Sequence, residues 1–132
     1  MAERISTDDY VSIVNFMGNY CWLVDEGDAD GWAALWTEDG AFVGGGLNLV
    51  GHEQLKSIPR SSEQSGQLRH AMANLHCRYG ETRDIVHMRL YNHVTNWSQG
   101  GAPVVMAVCE AVILRDGDSW KVKRNDVRML RP

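Results

Sequence analysis

The sequence lacks any long hydrophobic segment. No apolar run in its 132 residues approaches the roughly 18 to 20 residues that a helix needs to cross a bilayer. The opening residues, MAERISTDDY, also lack the apolar core of a secretory signal peptide. The sequence therefore predicts a protein of the cytoplasm that has no membrane partner.

A surplus of positive charge is also missing. Lys and Arg number 13 against 17 Asp and Glu, which gives a net charge of −4, and the basic residues are scattered along the chain. Because a nucleic-acid-binding surface needs a basic stripe, nucleic acid is not an expected partner. The chain has only three cysteines, Cys21, Cys77 and Cys109, which lie far apart among apolar neighbours. An odd number at wide spacing argues against disulfides and favours buried thiols in a reducing compartment.

The length suits one domain over residues 1–132. Ser6 or Thr7 is placed to begin a helix that ends near Gly27, and the apolar residues between them recur at helical spacing: Val11, Val14, Met17, Cys21 and Val24. Two shorter helices are predicted, one beginning after Asp28 or Asp30 and one beginning at Gly51. Residues 41–43 and 47–50 have the pattern of short strands, and residues 59–66 that of a polar loop.

From residue 68 onward the hydrophobic period changes to two. Residues 69–79, 84–97, 103–114 and 119–130 are predicted to form four long strands separated by turn residues. Helices followed by a meander of strands are typical of an α+β fold. We therefore expect a curved antiparallel sheet with the three N-terminal helices packed on one face.

Four histidines fall in the first two long strands. If their turn centres on residues 81–82, each opposed pair shares one face: His70 with His93, Met72 with Tyr91, Asn74 with Arg89, and His76 with His87. This mixed face is either solvated or covered so that it lines a pocket. The two histidine pairs lie about 20 Å apart, and no HExxH pattern is present, so the sequence predicts no metal site.

Carboxylates form a second group of candidates. Asp25 lies at the end of the first helix, where the macrodipole disfavours it, so it is either a solvated helix end or a functional residue. Tyr20 likewise is either a boundary residue or a catalytic one. Glu110 lies inside an apolar strand, and if residues 116–118 form the hairpin loop it faces Arg124. That pair is either a structural ion pair or a contact for substrate.

The order and spacing of these residues resemble the SnoaL-like branch of the nuclear transport factor 2-like superfamily across essentially the whole chain. The resemblance rests on Tyr20-x4-Asp25-x-Gly27-Asp28-x3-Trp32-x2-Leu35-Trp36-x-Glu38-Asp39-Gly40, Gly51-x-Glu53-x-Leu55, Arg69-His70-x3-Asn74 and Asp116-Gly117-x2-Trp120. It implies a cone-shaped α+β barrel, in which the curved sheet and three helices enclose one pocket.

The resemblance also implies roles for individual residues. Asp25 and His70 match the catalytic Asp and His of lyases such as scytalone dehydratase, bile-acid 7α-dehydratase and hexachlorocyclohexane dehydrochlorinase. Tyr20 matches the catalytic Tyr of the bile-acid enzyme, and His93 aligns with the second active-site His of scytalone dehydratase. In ketosteroid isomerase, another relative, the general base lies roughly where this chain has Gly44.

These matches predict a cofactor-free lyase that dehydrates a small hydrophobic, cyclic or polyketide-like substrate by β-elimination. His70 is the expected base, oriented by Asp25 and assisted by Tyr20 or His93. The expected substrate-binding residues are Arg124, Trp36, Met72, Tyr91 and Glu110. No cofactor is expected, because residues 44–46 lack the helix start of a phosphate-binding loop. The alternatives are an isomerase or cyclase, or a non-catalytic binding module.

Self-association is expected as well. An apolar outer sheet face would need cover, which predicts a homo-oligomer, either a dimer or a trimer.

Overall fold

The computed structural model describes residues 3–64 and 66–131 of the chain. Helix α1 spans Thr7–Asp25, and its N-cap Ser6 accepts a hydrogen bond from the backbone N–H of Asp9. It ends as the sequence predicted, because Gly27 adopts a φ of 71° that favours glycine. Helix α2 spans Ala29–Ala33, and its N-cap Asp28 accepts from the N–H of Gly31. No helix of the described residues is long and apolar enough to cross a membrane.

The segment before the long strands differs from the sequence prediction. Strand β1 spans Trp36–Gly44 and is longer than the strand predicted for residues 41–43, while β2 spans Leu47–Val50 as expected. Helix α3 spans His52–Leu55 and α4 spans Ser57–Gln64. The polar loop predicted for residues 59–66 is therefore wrong over most of its length. Pro59 is compatible with a helix here because it lies in the first turn, where no backbone N–H is needed.

The four long strands fall where the period-two pattern predicted them. They are β3 (Leu68–Tyr79), β4 (Ile85–Asn96), β5 (Ala102–Asp116) and β6 (Ser119–Met129). With β1 and β2 they form one six-stranded sheet in the order β2-β1-β6-β5-β4-β3. The sheet is curved but unclosed, and β1 pairs with β6 in parallel while the other neighbours are antiparallel. The predicted α+β class and curved sheet are confirmed.

Helix α1 packs across the inner face of this sheet. Its buried residues are Ile13, Phe16, Met17, Tyr20 and Val24. The predicted stripe is therefore wrong at its first two positions, since Val11 and Val14 are 61% and 41% exposed. Both sets of residues have helical spacing, so periodicity alone does not distinguish the two neighbouring stripes.

The register of β3 against β4 also differs from the prediction. His70 pairs with Val94 and Ala71 pairs with His93, so His70 and His93 point to opposite faces of the sheet. The register shifts again between Ala73 and His76, where Asn74 adopts a left-handed φ of 57°. The prediction assumed that side chains alternate without interruption along β3. This β-bulge interrupts the alternation, so His70 and His76 do not share a face.

A similar shift affects β5 and β6. Asp116 pairs with Ser119, so the hairpin loop has two residues and not the predicted three. A second irregularity then follows, and Glu110 pairs with Asp126 while Arg124 pairs with Val112. The predicted Glu110–Arg124 pair is therefore wrong. Arg124 instead forms an ion pair with Asp126, with its Nε 2.8 Å from Oδ2.

Candidate active site

An aspartate and a histidine meet where the end of α1 faces the start of β3. His70 Nδ1 lies 2.7 Å from Asp25 Oδ1. The same carboxylate also accepts from the backbone N–H of His70, at 3.1 Å to Oδ1 and 3.2 Å to Oδ2. The side chains are 8% exposed for Asp25 and 16% for His70. The sequence therefore identified two residues that form one largely enclosed contact.

This contact explains why an acidic residue ends α1. A carboxylate at a helix C-terminus opposes the macrodipole, but two hydrogen bonds from His70 satisfy the Asp25 oxygens. A carboxylate on Nδ1 favours the tautomer in which Nδ1 carries the proton, which leaves a lone pair on Nε2. Within the described residues, Nε2 of His70 makes no hydrogen bond. The pair can therefore accept a proton at Nε2.

A small cavity lies between α1 and the inner face of the sheet. It is lined by Met17, Tyr20, Cys21, Met88, Leu90, Asn92, Cys109, Ala111, Val122 and Asn125. Cys21 precedes Asp25 by one helical turn, and the Asp25 charge contributes to raising the pKa of Cys21, after burial. On the sheet, Asn92 pairs with Met72, one row along from the His70 pair. The cavity volume is about 10 Å³, which is about enough for one water molecule.

Polar atoms without partners line this cavity. Oδ1 of Asn92 and Oδ1 of Asn125 are buried and accept no hydrogen bond within the described part of the chain. Nδ2 of Asn125 donates to the hydroxyl of Tyr20 at 3.3 Å, so the Tyr20 O–H remains available as a donor. Leaving a buried polar atom unpaired costs about 1–3 kcal/mol. Such atoms therefore favour a site that a bound molecule completes.

Burial makes Tyr20 a neutral hydrogen-bond donor. Burial raises the pKa of its phenol far above the ordinary value, although the Asn125 hydrogen bond opposes that rise. The hydroxyl therefore stays protonated near neutral pH. It can stabilise negative charge on a substrate oxygen by donating a hydrogen bond.

The remaining predicted site residues divide between the two sheet faces. Met72 is half-buried on the inner face, two residues along β3 from His70. Trp36 is 1% exposed and contacts Tyr20, with ring centroids 6.2 Å apart. Trp32 completes this aromatic cluster, with ring centroids 5.3 Å from Tyr20 and 5.2 Å from Trp36.

Four predicted residues lie on the outer face, away from the Asp25–His70 pair. They are Tyr91, His93, Glu110 and Arg124, as their strand pairing requires. The prediction that His93 and Tyr91 share a face with His70 depended on a β3–β4 register that was wrong by one residue at these positions, and a one-residue slip moves a side chain to the opposite face. The four residues cannot contact a ligand held between α1 and the sheet.

Sequence reasoning missed Asn92 and Asn125. Both lie in strands with otherwise apolar inner faces, where a buried amide signals a polar requirement. For Asn92 that signal was present, because it interrupts the period-two apolar pattern of Val86, Met88, Leu90 and Val94. It was not usable without the correct register.

The cysteines and the possible metal ligands were two further groups of candidate residues. The structure shows Cys21, Cys77 and Cys109 as free thiols. A search of the described ranges found no group of three or more His, Cys, Asp or Glu side chains that could hold a metal ion.

Comparison with solved structures shows the same fold at low identity. A protein of unknown function from Mycobacterium tuberculosis superposes with a TM-score of 0.84 at 22% identity, covering 94% of this chain and 73% of that one. Aln2 from a Streptomyces species gives a TM-score of 0.84 at 19% identity, covering 96% and 94%. A provisionally named scytalone dehydratase from Novosphingobium aromaticivorans gives 0.81 at 15% identity, covering 93% and 85%.

Sequence comparison shows the family. No curated protein sequence gave a significant match. The profile of the SnoaL-like domain, however, matches residues 6–126 of this chain. The chain therefore belongs to the SnoaL-like family of the nuclear transport factor 2-like superfamily, as its residue pattern predicted.

Proposed function

We propose that this protein is a cofactor-independent lyase that dehydrates a small hydrophobic, cyclic or polyketide-like substrate. SnoaL-like proteins are often enzymes, among them polyketide cyclases and dehydratases. The single observation that carries the proposal is the 2.7 Å contact of His70 Nδ1 with Asp25 Oδ1. It leaves Nε2 as a proton acceptor, one row of the sheet away from Asn92, which lines a mostly apolar cavity.

The proposed reaction is a β-elimination from a β-hydroxy ketone. Nε2 of His70 removes the proton next to the carbonyl, and the electron pair of the C–H bond forms the enolate. Expulsion of the β-hydroxyl breaks the C–O bond, and the imidazolium returns its proton to the departing oxygen. The substrate loses one water molecule and gains a conjugated double bond.

Asp25 and Tyr20 support this reaction without changing their own protonation states. Asp25 stabilises the imidazolium that forms on His70 and keeps the ring in place. The neutral Tyr20 hydroxyl donates a hydrogen bond to the enolate oxygen. The amides of Asn92 and Asn125 are placed to bind other polar groups of the substrate.

Substrate entry requires the cavity to expand. Its volume of about 10 Å³ is far below the roughly 300 Å³ or more of typical small-molecule sites. Met17 and Met88 line it, and methionine side chains are unbranched and rotate readily. Rotation of these two side chains, together with Leu90, would open space beside His70.

The proposal is tested with a panel of ring-fused β-hydroxy ketones that includes β-hydroxytetralone. Dehydration is followed by the absorbance of the conjugated product and by mass spectrometry. We expect His70→Ala and His70→Gln to lower kcat/KM by about 100-fold or more, because general-base catalysis contributes at least that much. Asp25→Asn should cause a loss of similar order, because the ring is no longer held in the basic tautomer.

His93→Gln is the matched control, because it changes the same residue type on the neighbouring strand but on the outer face. It should retain activity within a few-fold of the unsubstituted protein. Full activity of His70→Ala, or turnover of no panel member by the unsubstituted protein, would contradict the proposal. A product with unchanged mass would support an isomerase or cyclase.

The ketosteroid-isomerase alternative is opposed by one observation. That mechanism needs a carboxylate roughly where this chain has Gly44, but a Cβ built there would lie 1.7 Å from the carbonyl oxygen of Val127. No side chain fits without a shift of β1 relative to β6.

A further inference from the structure

The hairpin that joins β4 to β5 is rich in apolar residues and nearly free of charge. Between Leu90 and Cys109 the chain contains no Lys, Arg, Asp or Glu. Two of its large apolar side chains are nevertheless exposed, 57% for Trp97 and 55% for Val104, and Pro103 beside Val104 is exposed as well. Exposed apolar residues that cluster in this way mark a contact surface.

Trp97 is fixed in position at the end of this hairpin. Its backbone N–H donates to the carbonyl of Gln67 at 2.9 Å. A Cβ built on Gly101 would lie 3.0 Å from atoms of the indole ring, so the ring packs against the Gly101 backbone, where the missing side chain leaves room for it. The exposed part of the indole is therefore ready to make a contact at little cost in side-chain entropy.

The hairpin projects past its neighbour β6 at the end of the sheet that carries the candidate site. Strand β5 begins at Ala102, but its pairing with β6 ends where Ala107 meets Met129. Residues 102–106 therefore extend about 17 Å past the last pair, at about 3.4 Å per residue. His70 pairs with Val94, close to the same end of the hairpin.

Two arginines flank the hairpin and have no acidic partner within the described residues. On the β3 side, Arg69 pairs with Thr95, and the printed contact of its guanidinium is a hydrogen bond to the carbonyl of Leu68, next to it in the chain. On the β6 side, the N–H of Leu130 donates to the carbonyl of Met106, which places the following Arg131 beside the hairpin. Both arginines are exposed, so their charge is available to an anionic surface.

The acidic turns lie at the opposite end of the sheet. Consecutive antiparallel strands alternate in direction, so the β3–β4 and β5–β6 turns lie away from the β4–β5 turn. These two distant turns carry Glu81, Asp84, Asp116 and Asp118. Four of the carboxylates behind the net charge of −4 are therefore far from any surface that the β4–β5 hairpin approaches.

We propose that this end of the molecule docks on the surface of an anionic lipid bilayer. The docking surface, which we call the hairpin tip, combines exposed apolar residues with the two unpaired arginines: Trp97, Pro103, Val104, Leu130, Arg69 and Arg131. Tryptophan is enriched at the membrane–water interface, and basic residues beside it are attracted to anionic lipid. A fluid bilayer needs no matching shape, whereas a protein partner needs about 800 Å² of complementary surface, which the end of one hairpin does not offer.

This contact needs no spanning helix, so it revises the expectation that the protein has no membrane partner. Its use to the enzyme rests on the proposed function: a small hydrophobic substrate accumulates in lipid, and docking brings the Asp25–His70 end of the sheet to that source. The contact is weak and reversible. Half of the protein should bind between about 0.1 and 1 mM accessible lipid, near the affinity that a single acyl chain gives.

Cosedimentation with vesicles at low ionic strength tests the contact without any substrate. Vesicles of phosphatidylcholine with about one-third phosphatidylglycerol should bind the unsubstituted protein, and pure phosphatidylcholine should bind it at least about ten-fold more weakly. Trp97→Ser should lower the partition coefficient by about ten-fold and Val104→Ser by about three-fold, because each removes apolar surface from the contact. Arg69→Gln and Arg131→Gln should each lower it by about five-fold.

The chain offers a matched control for both kinds of substitution. Val11→Ser changes a valine that is 61% exposed near the start of α1, and Arg78→Gln changes an exposed arginine near the other end of β3. Both should bind vesicles as the unsubstituted protein does, with circular dichroism showing that every variant is folded.

Three results would overturn the inference. They are no binding to anionic vesicles at about ten times the expected lipid concentration, equal binding to both vesicle types, and control variants that lose as much binding as Trp97→Ser and Arg69→Gln. A change of oligomeric state in Trp97→Ser without lipid would assign the hairpin tip to a second copy of the chain and would also overturn it. Because no turnover is measured, failure of vesicle binding leaves the proposed dehydration standing, and an inactive protein that binds vesicles leaves the docking standing.

Discussion

Gly44 offers the sharpest test of how closely β1 approaches β6. Its φ is +130°, and an ideal Cβ would lie 1.7 Å from the carbonyl oxygen of Val127 and 2.7 Å from the carbonyl carbon. Real Cβ atoms do not approach other atoms so closely, and a backbone carbonyl cannot rotate away as a side chain can. Gly44→Ala must therefore push the two strands apart.

The expected loss of stability in Gly44→Ala has two parts. Holding a non-glycine residue at this φ costs about 1–3 kcal/mol, and overpacking against β6 adds about 1–3 kcal/mol. Gly46→Ala separates them, because Gly46 also has a positive φ, +83°, but nothing lies within 4 Å of its Cβ position. We expect Gly46→Ala to lose only the stability that a non-glycine residue at positive φ costs. The difference of about 2 kcal/mol corresponds to about 8 °C in Tm for a domain of this size.

Thermal unfolding followed by circular dichroism measures both variants under one condition. The free energy of unfolding from urea titration should rank them in the same order. Equal loss of stability in Gly44→Ala and Gly46→Ala would refute the close approach. It would also remove the steric argument against a carboxylate at this position, and with it the objection to an isomerase mechanism.

Two further predictions concern titratable groups. The hydrogen bonds from Arg115 lower the pKa of the Asp9 carboxyl from 3.8 to about 2. Because the folded pKa is the lower one, this stabilisation is complete above about pH 4 and is lost as the pH falls toward 2. It is at most about 2 kcal/mol, and less after solvent screening, so acid titration of the unfolding free energy should be flatter in Asp9→Asn than in the unsubstituted protein. The second prediction concerns the thiols, since burial raises the pKa of all three, to about 12 for Cys21 and to about 11 for Cys77 and Cys109. A thiol reagent at pH 8 should react slowly with the folded protein and rapidly with all three in guanidinium chloride, and fast labelling of the folded protein would contradict the buried placement.

Local signals in the sequence were sufficient to predict α1 and the four long strands. Ser6 and Gly27 mark the ends of α1 because capping and left-handed backbone depend on one or two residues. The alternation in β3 to β6 likewise depends only on which side chains are buried. The Asp25–His70 pair was identified by resemblance, and in the structure His70 Nδ1 lies 2.7 Å from Asp25 Oδ1.

Register was not predictable in the same way. It depends on where each turn closes and on where a bulge inserts an extra residue, and neither is determined by hydrophobic period. The predicted closeness of His70 and His93 came from one such register, so it gave no independent support for the site. Asn92 was missed because the prediction assigned the pocket to the face of β4 that carries Tyr91 and His93. The structure places the cavity on the other face, which carries Asn92.

The bulge at Asn74 is what makes the Asp25–His70 contact possible. On a regular strand His70 and Tyr79 would point to opposite faces, because their positions along the chain differ by an odd number. The structure nevertheless directs both toward α1, where the Tyr79 hydroxyl lies 2.5 Å from Asp9 Oδ2 and His70 Nδ1 lies 2.7 Å from Asp25 Oδ1.

The lengths of the two elements agree with this account. From Asp9 to Asp25 the helix advances about 24 Å at about 1.5 Å per residue, whereas β3 from His70 to Tyr79 would extend about 30 Å at about 3.3 Å per residue. One extra residue in the bulge and the curvature of the sheet take up the difference of about 6 Å. The same irregularity therefore corrects both the direction of His70 and the length of β3. A strand without it could satisfy the contact at one end of α1 but not at both.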